Sequence, residues 1–120
     1  MRNRARKFEI ILPLPAGNKP TEADLAQIVK EFISVREKTD AAGLTGITIQ
    51  VGPFVSTWEE KVSLLTVATF SGFNARLCSD VAEKLLVSLA EHLRVTFEQP
   101  WVLVSYDYEM WWLPNGEQKV

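Results

Sequence analysis

His92 is the sole histidine of the chain, and so the one side chain whose ordinary pKa suits proton transfer near neutral pH. The periodicity around it predicts a place near the C-terminal end of a helix, one turn beyond Ser88, where the helix dipole favours the imidazolium and a structural duty. Work as a general base would need a pocket and an orienting group. Tyr106 and Trp58 are the aromatic residues that would complete such a pocket, so His92, Tyr106 and Trp58 are the catalytic candidates. Cys78, between Leu77 and Val81, reads as a small core residue rather than a nucleophile. Glu59 and Glu60 are neighbours in an extended segment and point apart, so they do not form an acid–base pair. Asp107 and Glu109 are expected to share one face of a strand, where carboxylates guard a sheet edge more often than they hold a cation. One cysteine and one histidine cannot build a zinc site. No phosphate-binding loop, nucleophile elbow or HExxH helix occurs, and neither metal nor cofactor is expected.

Binding rather than chemistry is the stronger signal. If Phe8, Ile10 and Leu12 point into a core, strand alternation sends Glu9 and Ile11 the other way. The same parity puts Leu65 and Val67 opposite Ala68 and Phe70, and Trp101 and Leu103 opposite Val102, Val104 and Tyr106. Ile11, Leu65, Val67, Trp101 and Leu103 thus share one sheet face, with Thr48, Gln50 and Glu9 around them. Burying five such side chains is worth on the order of 7–15 kcal/mol gross, and monomers avoid leaving a patch of this kind in water. Adjacent Trp111 and Trp112 point to opposite sides of an extended segment, which makes one of them hard to bury within a single subunit. A homodimer through the sheet face or the C-terminal segment is therefore expected, with a partner protein or an apolar small molecule as the further ligand. A cleft bounded by Phe54, Trp58, Trp101 and Tyr106 is the place for such a molecule.

The elements that must position these residues follow from periodicity. Lys7 to Leu14 alternates as a strand and ends in a loop of Pro13, Pro15, Gly17 and Pro20. Thr21 is a helix N-cap with Asp24 three residues on, a variant of the capping box. Leu25, Ile28, Val29, Phe32 and Ile33 then form one apolar stripe. Ile47 to Val51 alternates as a second strand that Gly52-Pro53 is expected to break. Lys61 to Phe70 is a third strand, about ten residues further on. Leu77, Val81, Ala82, Leu85, Leu86, Leu89 and Leu93 predict a helix over 75–95, and Trp101 to Glu109 the last strand. The order β-α-β-β-α-β predicts an α+β, ferredoxin-like two-layer sandwich with a four-stranded antiparallel sheet. The chain reads as a single domain over 1–120, with a basic arm over 1–6 and a Trp-rich segment over 110–120.

Charge and composition narrow the functions. The 120 residues carry 13 basic and 15 acidic side chains, 47% hydrophobic and 23% charged residues, an ordinary globular balance. Arg2, Arg4, Arg6 and Lys7 gather at the start and leave nine basic against fifteen acidic residues elsewhere. A body of that sign repels phosphate backbones, so nucleic acid is not an expected partner. The sheet face also lacks the aromatic platforms on which RNA bases stack, and Gly43-Leu44-Thr45-Gly46 reads as a helix-to-strand loop rather than an RNA-gripping one. With no apolar leader region, no long apolar run and a single thiol, a cytoplasmic location away from the membrane is expected.

The run Phe8-Glu9-Ile10-Ile11-Leu12-Pro13, the glycine-containing turn into the second strand, Gly52 before an aromatic and Glu59/Glu60, and Phe97-Glu98-Gln99 before the last strand resemble a set of small uncharacterised bacterial α/β-sandwich proteins. The resemblance spans most of residues 6–110, apart from a longer connection over 36–46. It implies the sandwich fold and carries no activity. Two functional expectations result: a self-associating, non-catalytic module that binds a protein or an apolar ligand, or a cofactor-free small enzyme of the dimeric α/β-barrel kind, monooxygenase- or isomerase-like, with an aromatic pocket.

Overall fold

Residues 5–17, 19–36, 44–57, 60–74 and 79–114 are described by the structure, a computed structural model. The elements are β1 (Arg6–Pro13), α1 (Glu22–Arg36), β2 (Leu44–Ser56), β3 (Ser63–Asn74), α2 (Ser79–Thr96), β4 (Val102–Tyr106) and β5 (Glu109–Leu113). They form an α+β fold in which one five-stranded antiparallel sheet, in the order β2-β3-β1-β4-β5, carries two helices on one face.

The core lies between the sheet and the helices. Phe8, Ile10 and Leu12 of β1 are fully buried, as are Ala68 and Phe70 of β3 and Val102 and Val104 of β4. They meet Leu25, Val29 and Phe32 of α1, and Ala82, Leu85, Leu86, Leu89, Ala90 and Leu93 of α2. Ile10 is the register point, opposite Phe70 on one side and Val104 on the other. Odd-numbered residues of β1 and β3 therefore face away from the helices, the assignment that alternation predicts. The N-terminus of α1 is closed by a full capping box: the Asp24 amide donates to Thr21 Oγ1 at 3.1 Å, and the Thr21 amide donates to Asp24 Oδ2 at 2.9 Å.

Three expectations need correction. Gly52-Pro53 does not end β2, which runs on to Ser56 with Pro53 opposite Thr66. β2 is an edge strand, where a missing proline N–H can face outward at no cost to the ladder. The third strand begins at Ser63, two residues later than expected, and runs four residues beyond Phe70 to Asn74, with Leu64 near its start and Val62 just before it both exposed.

The third correction concerns the C-terminal segment. The last strand is not continuous from Trp101 to Glu109: Asp107 and Tyr108 form a two-residue turn with φ of 50° and 75°. Glu109–Leu113 returns as a fifth strand beside β4, so Asp107 and Glu109 do not share a strand face. Hairpin turns of this kind usually announce themselves by Asn-Gly or Asp-Gly, and here the second position is a tyrosine. As a result Trp111, paired with Val104, faces the helices and is 7% exposed, while Trp112, paired with Leu103, takes the other face. Trp111 is thus buried within one subunit, while Trp112 stays half-buried on the open face.

Candidate functional site

The sheet face away from the helices holds Ile11, Leu65, Val67 and Leu103, as alternation requires. Trp101, just before β4, packs edge to face on Trp112. Val67 and Leu103 are only 5% and 8% exposed in the lone chain, so the middle of this face is already shielded by its neighbours. Ile11, Leu65, Trp101 and Trp112 are half-buried. Of the binding candidates only Trp111 lies elsewhere, in the helix-side core.

Two of the catalytic candidates lie among the described residues, and each has a partner of its own. Tyr106 faces the helices, and its hydroxyl accepts a hydrogen bond from Asn74 Nδ2 at 3.1 Å in the core. His92 is exposed on α2, with its ring centroid 5.4 Å from that of Phe32 on α1. Trp58 lies outside the described residues, as do Glu59 and Cys78. A pocket shared by Phe54, Trp101 and Tyr106 does not form, because Phe54 pairs with Leu65 on the open face and Tyr106 points through the sheet to the other side. Among the described residues no three His, Cys, Asp or Glu side chains come together as a metal-holding set.

A cleft of about 410 Å³ opens at the end of the open face where β1 begins and β3 and β4 finish. Its lining is Lys7 and Glu9 of β1, Phe73 of β3, Ser105 of β4, Ala5, and Asp107 and Tyr108 of the turn. Register explains the grouping: Lys7 stands opposite Phe73, and Glu9 opposite both Ser71 and Ser105. The turn is fastened to β1, since the Asp107 amide donates to the Lys7 carbonyl at 3.0 Å and Arg6 Nε lies 3.4 Å from Asp107 Oδ2.

Tyr108 is the unusual member. Its φ of 75° is one that bulky residues rarely adopt, and its side chain is 93% exposed over the cleft. Backbone strain of this kind costs of order 1–3 kcal/mol and gathers at ligand-handling sites. On the far side of Lys7 and Phe73 the face continues as a second depression of about 520 Å³, reaching Thr48 and Ser71. Chemically the cleft offers two aromatic rims, Phe73 and Tyr108, a carboxylate from Glu9, an ammonium from Lys7 and a hydroxyl from Ser105. Such a set suits a flat heteroaromatic ring that carries a charged arm. Strand alternation signalled Glu9, but Phe73 and Tyr108 were hidden, because β3 is longer than its apolar run and the turn lacks its usual glycine.

No protein-family model matches the chain, and neither does any curated protein. Two solved structures do. A phage SAM lyase in complex with S-methyl-5'-thioadenosine is similar with a TM-score of 0.67 and 17% identity, over 94% of this chain and 92% of that one. A phage SAM lyase in the apo state is similar with a TM-score of 0.58 and 20% identity, over 90% and 87%. At such identity the likeness is one of fold, and it extends over nearly the whole of both chains.

Proposed function

We propose that this chain binds a sulfonium nucleoside or its thioether product in the cleft beside Tyr108 and acts as a small lyase that needs no cofactor. The observation that carries the reading is the strained, exposed Tyr108 facing Glu9 and Phe73 across a cleft, in a fold similar along its length to a SAM lyase. The adenine-like ring would lie against Tyr108 and Phe73, and the sulfonium would sit by the Glu9 carboxylate and the tyrosine face. Cleaving a carbon–sulfur bond moves the bonding pair onto sulfur and leaves a neutral thioether, while the carboxylate of the substrate's own charged arm closes on the carbon that sulfur leaves, so bonds and charge balance without a further reactant. Glu9 then holds the charged substrate more tightly than the product, which favours product release. The strand order β2-β3-β1-β4 with two helices supports a ferredoxin-like unit to which β5 is added, and a single cysteine suits a cytoplasmic setting.

The test is titration calorimetry with SAM and with S-methyl-5'-thioadenosine, together with chromatography of the reaction mixture. Saturable binding and release of the thioether, both weakened in Tyr108→Ala and Glu9→Gln, are the expected results. Absence of binding by either compound overturns the reading. Binding without turnover returns the chain to the non-catalytic ligand-binding class.

A further inference from the structure

Two rows of side chains cross the open face where the cleft lies. Thr48 of β2 stands opposite Ser71 of β3, Ser71 opposite Glu9 of β1, and Glu9 opposite Ser105 of β4. One row thus runs over four strands as hydroxyl, hydroxyl, carboxylate, hydroxyl. In the next row Phe73 of β3 stands opposite Lys7 of β1. Partners within a row are about 5 Å apart, and two residues of strand, about 7 Å, separate the rows.

Among the described residues, the side chains of Lys7 and Glu9 make no hydrogen bond or ion pair with one another or with any neighbour. Asp107, the other acid of the cleft, lies against Arg6. The face therefore offers one cation and one anion, one row apart, whose charges the fold itself does not use. Lys7 and Phe73 border both depressions: the cleft that Glu9 and Ser105 line, and the second one of about 520 Å³ that Thr48 and Ser71 line. A lysine ammonium on its four-carbon stem reaches either side of such a divide.

We infer that the second depression is the seat of the ligand's amino-acid arm, and that Lys7 selects ligands whose arm ends in a carboxylate. The inference rests on the ligand reading above. With the ring between Tyr108 and Phe73 and the sulfonium by Glu9, the arm leaves sulfur one strand from Ser71 and one row from Lys7. Four bonds separate the sulfur from the carboxylate carbon, about 5 Å when extended, so the carboxylate comes within reach of the lysine. Lys7 donates to the carboxylate, and the hydroxyls of Ser71 and Thr48 accept from the α-ammonium. A carboxylate has two oxygens, so one stays on Lys7 while the other closes on carbon. Neither product keeps the carboxylate charge, so Lys7 holds the substrate and lets both products go.

Titration calorimetry with three probes tests it: SAM, S-methyl-5'-thioadenosine, which has no arm, and decarboxylated SAM, whose arm ends in an amine alone. Lys7→Gln is expected to weaken SAM by roughly 10–100-fold, the worth of one charge-assisted hydrogen bond, and to leave thioether affinity unchanged. Lys7→Arg keeps the cation and is expected to bind SAM nearly as the wild type does. Decarboxylated SAM is expected to bind the wild type more weakly than SAM, and no more weakly still in Lys7→Gln. Thr48→Val combined with Ser71→Ala is expected to weaken SAM several-fold and spare the thioether. Equal losses of SAM and thioether in Lys7→Gln, or no loss of SAM, overturn the inference while the ligand reading stands. SAM affinity unchanged in the Thr48→Val, Ser71→Ala protein overturns the seat of the arm in the same way. A wild type that binds neither SAM nor the thioether overturns the ligand reading and this inference with it.

Discussion

Trp101 and Trp112 meet edge to face, their ring centroids 4.9 Å apart and their planes 88° to one another. The contact joins the start of β4 to the middle of β5 on the face opposite the helices, while Trp111, one residue away, is set into the helix-side core. Two adjacent indoles thus serve two different layers.

Their removal should differ accordingly. Trp111→Ala empties a buried site and is expected to cost about 3–5 kcal/mol. Trp112→Ala exposes only its partner, and the coupling between Trp101 and Trp112 in a double-mutant cycle should be about 0.5–1.5 kcal/mol. Urea denaturation of the four variants checks both; equal losses for Trp111→Ala and Trp112→Ala would contradict the two-layer placement.

Gly72 has no room for a side chain. A Cβ there would stand 2.1 Å from the Gly46 carbonyl oxygen and 2.8 Å from the Phe8 ring. The obstruction includes backbone, so Gly72→Ala must push β2 away from β3 near its irregular end. A loss of about 2 kcal/mol or more is expected, the upper range of overpacking. A thermal melt unchanged from the wild type would refute it.

Tyr108 should show a trade between stability and binding. Glycine at φ 75° relieves the left-handed strain, so Tyr108→Gly is expected to gain about 1 kcal/mol in stability. The same change removes one aromatic rim of the cleft and should abolish titratable SAM or S-methyl-5'-thioadenosine binding. Higher melting temperature with binding intact would separate the strain from the site.

The capping box predicts an acid-sensitive helix. The Thr21 backbone amide, and then its hydroxyl, hold the Asp24 carboxyl below its ordinary value. A lowered folded-state pKa contributes stability that is fully present above the unfolded value and is lost as pH falls through the folded one. The difference in melting temperature between wild type and Asp24→Asn should therefore be constant above about pH 5, then shrink below roughly pH 4. A difference that grows on acidification would reverse the assignment.

Much of this molecule was written in its local periodicities. The 3.6-residue stripes of α1 and α2, the Thr21–Asp24 cap and the parity of β1 and β3 depend on near neighbours in the chain. They foretold the helical layer and placed Ile11, Leu65, Val67 and Leu103 on the reverse face. What local pattern does not encode is where a strand sits in the sheet and how a turn closes across it. Pro53 is harmless only because β2 is an edge. Asp107-Tyr108 becomes a tight turn only because Arg6 and the Lys7 carbonyl hold it against β1, which splits the expected last strand and sends Trp111 and Trp112 to opposite layers. The cleft likewise exists only where Lys7, Phe73, Ser105 and Tyr108, far apart in sequence, are drawn together by strand register, a long-range pairing that no stretch of residues specifies alone.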